Sequence, residues 1–263
     1  MGQVEGFEAV RNLFTGKVPP RVMRFVKQAG RGINRYGLIG EGERVLLGIS
    51  GGKDSLSMAL ALALRKRWLP IDYQLEAMHI DWQEFPLTDT EKGRLLQFFD
   101  IINVPLTIQK ASIYEGFYKK GFNCYACARH RKKLLFETLK ERDMSKIAFG
   151  HHMDDLIETT LMNVCFRGNF ATMMPLQGFF GGQVTVIRPL CEVKVKEIER
   201  ICRFLELPVA EPDCPHKSTN LRDKLRPIIQ EMIKLDPYLH EHIYASHWNI
   251  QKEYLPTHLR EYT

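Results

Sequence analysis

The chain has 263 residues, 44% hydrophobic and 26% charged, with a formal net charge of +6. These figures exclude a disordered polyelectrolyte and fit one large domain with small terminal additions. The basic excess is mild: it permits contact with nucleic acid without demanding it.

No apolar run approaches the roughly 20 residues of a membrane span. Residues 1–11 hold no apolar leader, so the expected compartment is the cytosol, with no membrane partner. Six cysteines are too few for a disulfide scaffold at this length. In a reducing compartment, clustered cysteines point to metal or redox chemistry.

In chain order, the basic stretch Arg21 to Arg35 carries Val22, Phe25, Val26 and Ile33 at helical spacing. Val45 to Ile49 is a short apolar run, as in a strand buried on both faces. Asp54 to Arg67 reads as a helix burying Leu56, Ala59, Leu60, Ala63 and Leu64. Leu75 to Ile80 is a strand, Asp89 to Ile102 a helix, and Val104 to Ile108 a strand. Tyr125 to Arg142 is a helix with Leu134, Leu135 and Leu139 inward. Lys146 to Phe149 is a strand, and Asp154 to Phe166 a helix burying Leu156, Ile157, Leu161 and Val164. Val184 to Ile187 is a strand and Val193 to Leu205 a helix. From Asn220 the tail reads helical, punctuated by Pro227, Pro237 and Pro256. This alternation predicts an α/β fold, a Rossmann-like and mainly parallel sheet with helices on both faces. The expected division is an N-terminal helical extension over 1–40, a catalytic domain over 41–215, and a C-terminal helical segment over 216–263 on the same core.

Ligands in such sheets bind beyond the carboxyl ends of the strands. There the first strand leads into Ser50-Gly51-Gly52-Lys53-Asp54-Ser55, which opens a helix. Paired glycines turn the backbone tightly, and the helix N-terminus, Lys53 and the serine hydroxyls complete an anion cradle. The spacing is not that of the Walker loop. Gly150-His151-His152-Met153-Asp154-Asp155 again joins a strand to a helix. Its two aspartates can cap that helix or hold Mg²⁺ on phosphate oxygens. His79 and Asp81, after the second strand, are candidates for the adenine or ribose pocket.

Cys124-Tyr125-Ala126-Cys127 sets two thiols near a helix start, and Cys214 lies far downstream. Cys165, Cys191 and Cys202 sit among apolar residues and are read as core cysteines. The pair admits three readings: a redox pair, a zinc site completed by His130 or His216, or an iron–sulfur cluster on three cysteines. Arg129, His130, Arg131, Lys132 and Lys133 crowd the first turns of that helix, against its dipole. Such a cluster attracts phosphate and is expected to favour thiolate.

The hexapeptide SGGKDS resembles the PP-loop of the ATP pyrophosphatases. With the CxxC, the basic helix, GHHMDDLIET, Arg188-Pro189-Leu190 and the late Cys214, the chain resembles the tRNA 2-thiocytidine synthetase (TtcA) family from about Phe25 to Ile233. One departure is visible: Asp213-Cys214-Pro215-His216 holds a single thiol where relatives often carry a second pair.

The resemblance implies a PP-loop fold, ATP with Mg²⁺, and a 4Fe-4S cluster on Cys124, Cys127 and Cys214. It implies tRNA as substrate, cytidine 32 as target, a homodimer, and sulfur from a cysteine desulfurase or free sulfide. The C2 oxygen is adenylated and sulfur then displaces AMP. The implied catalytic residues are Lys53, Asp54, Lys133 and Asp154, with Arg129 an alternative to Lys133. ATP and Mg²⁺ fall to Gly48, Ser50, Gly51, Gly52, Lys53, Asp54, Ser55, His79, Gly150 and Asp155. A 2-thiouridine-type thiolase, or an amide or lysidine-type synthetase with structural zinc at the CxxC, is the alternative.

Overall fold

The computed structural model describes residues 7–114, 124–210, 214 and 221–255. Within them six strands form one sheet in the order β3-β2-β1-β4-β6-β5. The strands are β1 Arg44–Ile49, β2 Gln74–Trp82, β3 Leu106–Ala111, β4 Lys146–Ala148, β5 Leu176–Phe179 and β6 Val184–Ile187. All neighbouring strands run parallel except β5, which is antiparallel to β6. The expected mainly parallel α/β sheet is therefore the fold.

The helices are α1 Glu8–Thr15, α2 Pro20–Arg35, α3 Lys53–Arg65, α4 Asp89–Ile101, α5 Cys124–Glu141, α6 Met153–Arg167, α7 Val195–Phe204, α8 Leu221–Leu235 and α9 Leu239–Ser246. Two compact units divide the chain: Met1–Met153 with Met174–Ser218, and Asp154–Met173 with Thr219–Thr263. The first holds the whole sheet.

In that unit the sheet's two faces bury separate cores. On one face α2, α3, α4 and α7 bring Phe25, Leu60, Phe98 and Ile198 against Leu47 and Ile49. On the other, α5 brings Leu135 and Leu139 against Leu46, Met78 and Ile147. β1 is thus apolar on both sides, and each fully buried Leu contributes about 2 kcal/mol. From Ser55 to Arg65 every residue of α3 is buried, which explains a helix apolar nearly all round. α4 opens with a capping box, Thr88 and Glu91 each accepting from the other's backbone N–H.

In the second unit α8 buries Leu225 and Ile229 and continues through Pro227, which the sequence reading took as punctuation. Its inward residues flank the proline, so packing on both sides offsets the lost N–H bond. Pro237 does separate α8 from α9. Asn220 and Pro256 lie outside the described residues. α6 departs from its expected pattern: Leu156 and Ile157 are buried, Leu161 is only half-buried and Val164 is exposed. Among the described residues, no helix is long and apolar enough to cross a membrane.

Candidate nucleotide and metal site

The strand order reverses between β1 and β4, since the chain builds outward to β3 and then returns beside β1. This is the switch point at which such sheets bind ligands. The Ser50–Ser55 turn leaves β1 there, and the Gly150–His152 segment leaves β4.

The turn is tied by its own side chains. Ser55 Oγ donates to the Gly52 carbonyl at 2.9 Å and accepts from the Ser50 amide at 3.3 Å. Ser50 Oγ lies 3.2 Å from Ser55 Oγ and accepts the Gly52 amide at 3.2 Å. Gly51 has φ +91°, and a Cβ there would stand 2.2 Å from the Ala210 carbonyl oxygen. The Ala210 amide in turn donates to the Gly51 carbonyl at 3.0 Å. Only glycine satisfies both the left-handed backbone and this approach.

Lys53 and Asp54 stand half-exposed in the first turn of α3, 3.5 Å apart. His152 Nε2 lies 3.8 Å from the same Asp54 oxygen. Gly150 packs so closely on this turn that a Cβ would sit 2.8 Å from the Asp54 carbonyl carbon. The two loops therefore meet, with amides, an ammonium and a carboxylate at one helix N-terminus. Such a set of donors suits a polyphosphate.

His79 is buried, and its Nδ1 donates to the Ile49 carbonyl at 3.0 Å, just before the turn. Burial holds its pKa below the usual histidine value, so the neutral ring is the resident form. Asp81 is buried too, accepting from the Leu87 amide at 2.9 Å and pairing with Lys92 at 2.8 Å. Gly48 lies inside β1 beneath Phe149. These groups brace the strand ends behind the turn.

Asp154 and Asp155 open α6, as expected, but in the second unit. Asp154 Oδ1 faces His240 Nε2 at 3.0 Å, and Asp155 lies 3.9 Å from Arg222. Glu158, one turn on, is bonded to Arg226 at 2.8 Å. Sequence reasoning missed His240, Arg222 and Arg226. They lie far along the chain, and only their basic character hinted at carboxylate partners.

The thiols lie on the α5 side. Crossovers between parallel strands place helix N-termini at the carboxyl edge of the sheet, so Cys124 and Cys127 head α5 at the edge that carries the turn. Cys214 packs with Cys127 against the α5-side core. It follows the bonded Ala210 by four residues, a reach of at most about 14 Å. Burial pushes the Cys127 thiol pKa up, Arg131 opposes this, and Cys214 and Cys124 add to the rise. The three sulfurs therefore share one electrostatic neighbourhood. The expectation that basic residues favour thiolate is overturned at Cys127, where dehydration outweighs Arg131.

Among the described residues, no three His, Cys, Asp or Glu side chains are gathered as around one ion. A cluster takes each thiol on a different iron and so needs wider spacing. Three soft donors, Cys127 and Cys214 half-buried and Cys124 exposed, suit such a group by their chemistry. His130 is buried against Trp82, ring centroids 5.5 Å apart, and His216 lies outside the described residues.

One core-cysteine expectation fails, that for Cys165, while Cys202 packs at the edge of the core. Cys165 is exposed, because α6 turns that side outward. Cys202 is half-buried and near enough to Lys53 and Asp54 to feel both charges. Cys191 is buried as expected. Arg188 is buried, donating to the Met174 carbonyl and, at 3.3 Å, to Gln177, so the Arg188-Pro189-Leu190 motif secures β5 against β6.

The PP-loop domain family model matches residues 23–232. Fold, turn and match together make this a PP-loop nucleotide-binding protein. A tRNA-cytidine(32) 2-sulfurtransferase of Cupriavidus necator is 32% identical over 246 residues, covering 90% of this chain and 75% of that one. One from Syntrophotalea carbinolica is 30% identical over 243 residues, covering 90% and 93%. The chain belongs to the tRNA-cytidine(32) 2-sulfurtransferase family, the tRNA 2-thiocytidine synthetases that its motifs resemble. The solved U34-tRNA thiolase NcsA of Methanococcus maripaludis, with its 4Fe-4S cluster, has the same fold. Its TM-score is 0.67 at 21% identity, over 86% of this chain and 78% of that one.

Proposed function

We propose that this chain uses ATP to replace the C2 oxygen of a tRNA cytidine, at position 32, with sulfur. The broader statement, an ATP-dependent tRNA sulfurtransferase, follows from family membership. The observation that carries the finer reading is the link between its two halves. The phosphate turn is bonded through Gly51 to Ala210, four residues before Cys214, and Cys214 shares its surroundings with Cys127.

In this reading the amides of Gly51 and Gly52, the Ser50 hydroxyl and Lys53 hold the triphosphate and offset charge as pyrophosphate departs. Asp54, beside Lys53 and His152, is the carboxylate that would hold Mg²⁺ at the turn; Asp154 and Asp155 are the carboxylates at the head of α6 within the second unit. Adenylation makes the base oxygen a good leaving group. Cys124, Cys127 and Cys214 hold a 4Fe-4S cluster, which supplies a soft, open position for sulfur when bound. Arg129 and Lys133, on the exposed face of α5, steady RNA phosphate or the activated base. The sulfur comes from a cysteine desulfurase or free sulfide, the working form is a homodimer, and the enzyme meets tRNA in the cytoplasm.

Nucleoside mass spectrometry of tRNA from cells with and without the gene tests this. We expect 2-thiocytidine to disappear on deletion and to return with the wild-type chain but not with Cys127→Ala. Unchanged thiolated nucleosides would overturn the reading, and loss of a thiouridine alone would move the target to uridine.

A further inference from the structure

A groove of about 860 Å³ lies in the first unit between α5 and the turn joining β5 to β6. Arg129, Lys132, Lys133 and Lys140 line it along α5. Glu137 and Asp143 are its acidic members, and Glu137 lies 3.5 Å from Lys133. Its far wall is Phe179 and Phe180, and Phe136 forms part of its floor.

Phe180 is a costly residue to keep there. It is 65% exposed and holds φ +52°, followed by Gly181 at +66° and Gly182 at +92°. A bulky side chain in left-handed backbone is a genuine outlier. The ring meets Phe136 edge-on, centroids 5.9 Å apart. The Lys132 ammonium lies 5.9 Å from the Phe179 centroid. Partial dehydration first, and Arg188 second, hold the Lys132 pKa below its usual value. An anion arriving there would offset both by favouring the charged ammonium.

We propose that this groove docks an unpaired stretch of the RNA substrate, a base stacking on the exposed face of Phe180 and the flanking phosphates meeting Arg129, Lys132, Lys133 and Lys140. The inference rests on the tRNA reading above. Cations interleaved with aromatic faces are how proteins hold single strands, because every base has a π-face and every link a charge. A second protein copy fits less well, since lysine is depleted at the centre of protein interfaces. From Arg129 to Lys140 the helix rises about 16 Å. The groove therefore takes neighbouring nucleotides, while the reacting base lies toward the thiols at the head of α5.

Fluorescence anisotropy on the full chain tests this with a labelled anticodon stem-loop and a blunt duplex of equal length. Phe180→Ala should weaken the stem-loop about tenfold and leave the duplex unchanged, with Phe180→Trp restoring the loss. Lys132→Ala with Lys140→Ala should weaken both RNAs and reduce the salt slope by about 1.5. ATP binding, measured alongside, should stay at the wild-type value in each variant. Wild-type stem-loop affinity in Phe180→Ala, while the wild-type chain still thiolates tRNA, overturns the groove and leaves the function standing. Variants that lose only self-association make it an interface between copies instead. A wild-type chain that binds ATP but neither RNA overturns both.

Discussion

The Ser50–Ser55 turn and the thiols at the head of α5 share one edge of the sheet but are held in different ways. Most bonds fixing the turn join residues within five positions of one another. The proposed thiol set would join positions 87 apart, Cys127 and Cys214, and its members are half-buried or exposed. One site is closed by local hydrogen bonding and the other by the path of the whole chain. The lesson is separability: damage to one should spare the binding partner of the other.

The largest effect should come from Cys127→Ala. It should abolish the iron chromophore and thiolation, while ATP affinity by calorimetry stays within about twofold. Loss of ATP binding in that variant would break the comparison. The converse is Gly51→Ala, which meets both a φ of +91° and a contact at 2.2 Å. Strain and overlap together should lower ATP affinity by about a hundredfold and leave the chromophore intact.

A smaller effect should appear with pH. The His79 pKa lies below the usual histidine value, so the unfolded chain takes up the proton first as pH falls. Its contribution is complete above about pH 6.5 and declines below it, by up to about 1.4 kcal/mol per pH unit until the folded ring also protonates. Urea midpoints measured from pH 7.5 to 5 should show this decline, and His79→Gln should flatten it. Smallest of all, Cys165→Ser should change stability by less than about 0.5 kcal/mol and leave the chromophore unaltered, because that thiol is exposed on α6.

The sheet and its helices were legible because β1 and α3 are apolar enough to admit few other structures, and the glycine-paired turn between them has a narrow set of uses. β5 was not legible. It is a short edge strand interrupted by Gly178, with no fully buried residue, and its place depends on Arg188 and on pairing with β6. Val164 and Cys165 misled because an apolar residue on a helix says nothing about whether a neighbour covers it. The carboxylate partners His240 and Arg222 stayed hidden for a related reason: spacing along the chain is silent on pairs 86 and 67 positions apart, such as His240–Asp154 and Arg222–Asp155.

The Ala210–Gly51 bond has a thermodynamic consequence. One amide and one carbonyl belong at once to the nucleotide turn and to the stretch leading to Cys214. In the proposed reading this bond lies between the nucleotide turn and the approach to the cluster's third anchor, and coupling by this route stays within the bound of about twofold given above. By reciprocity, whatever iron loading does to nucleotide affinity, the nucleotide does to iron in equal measure.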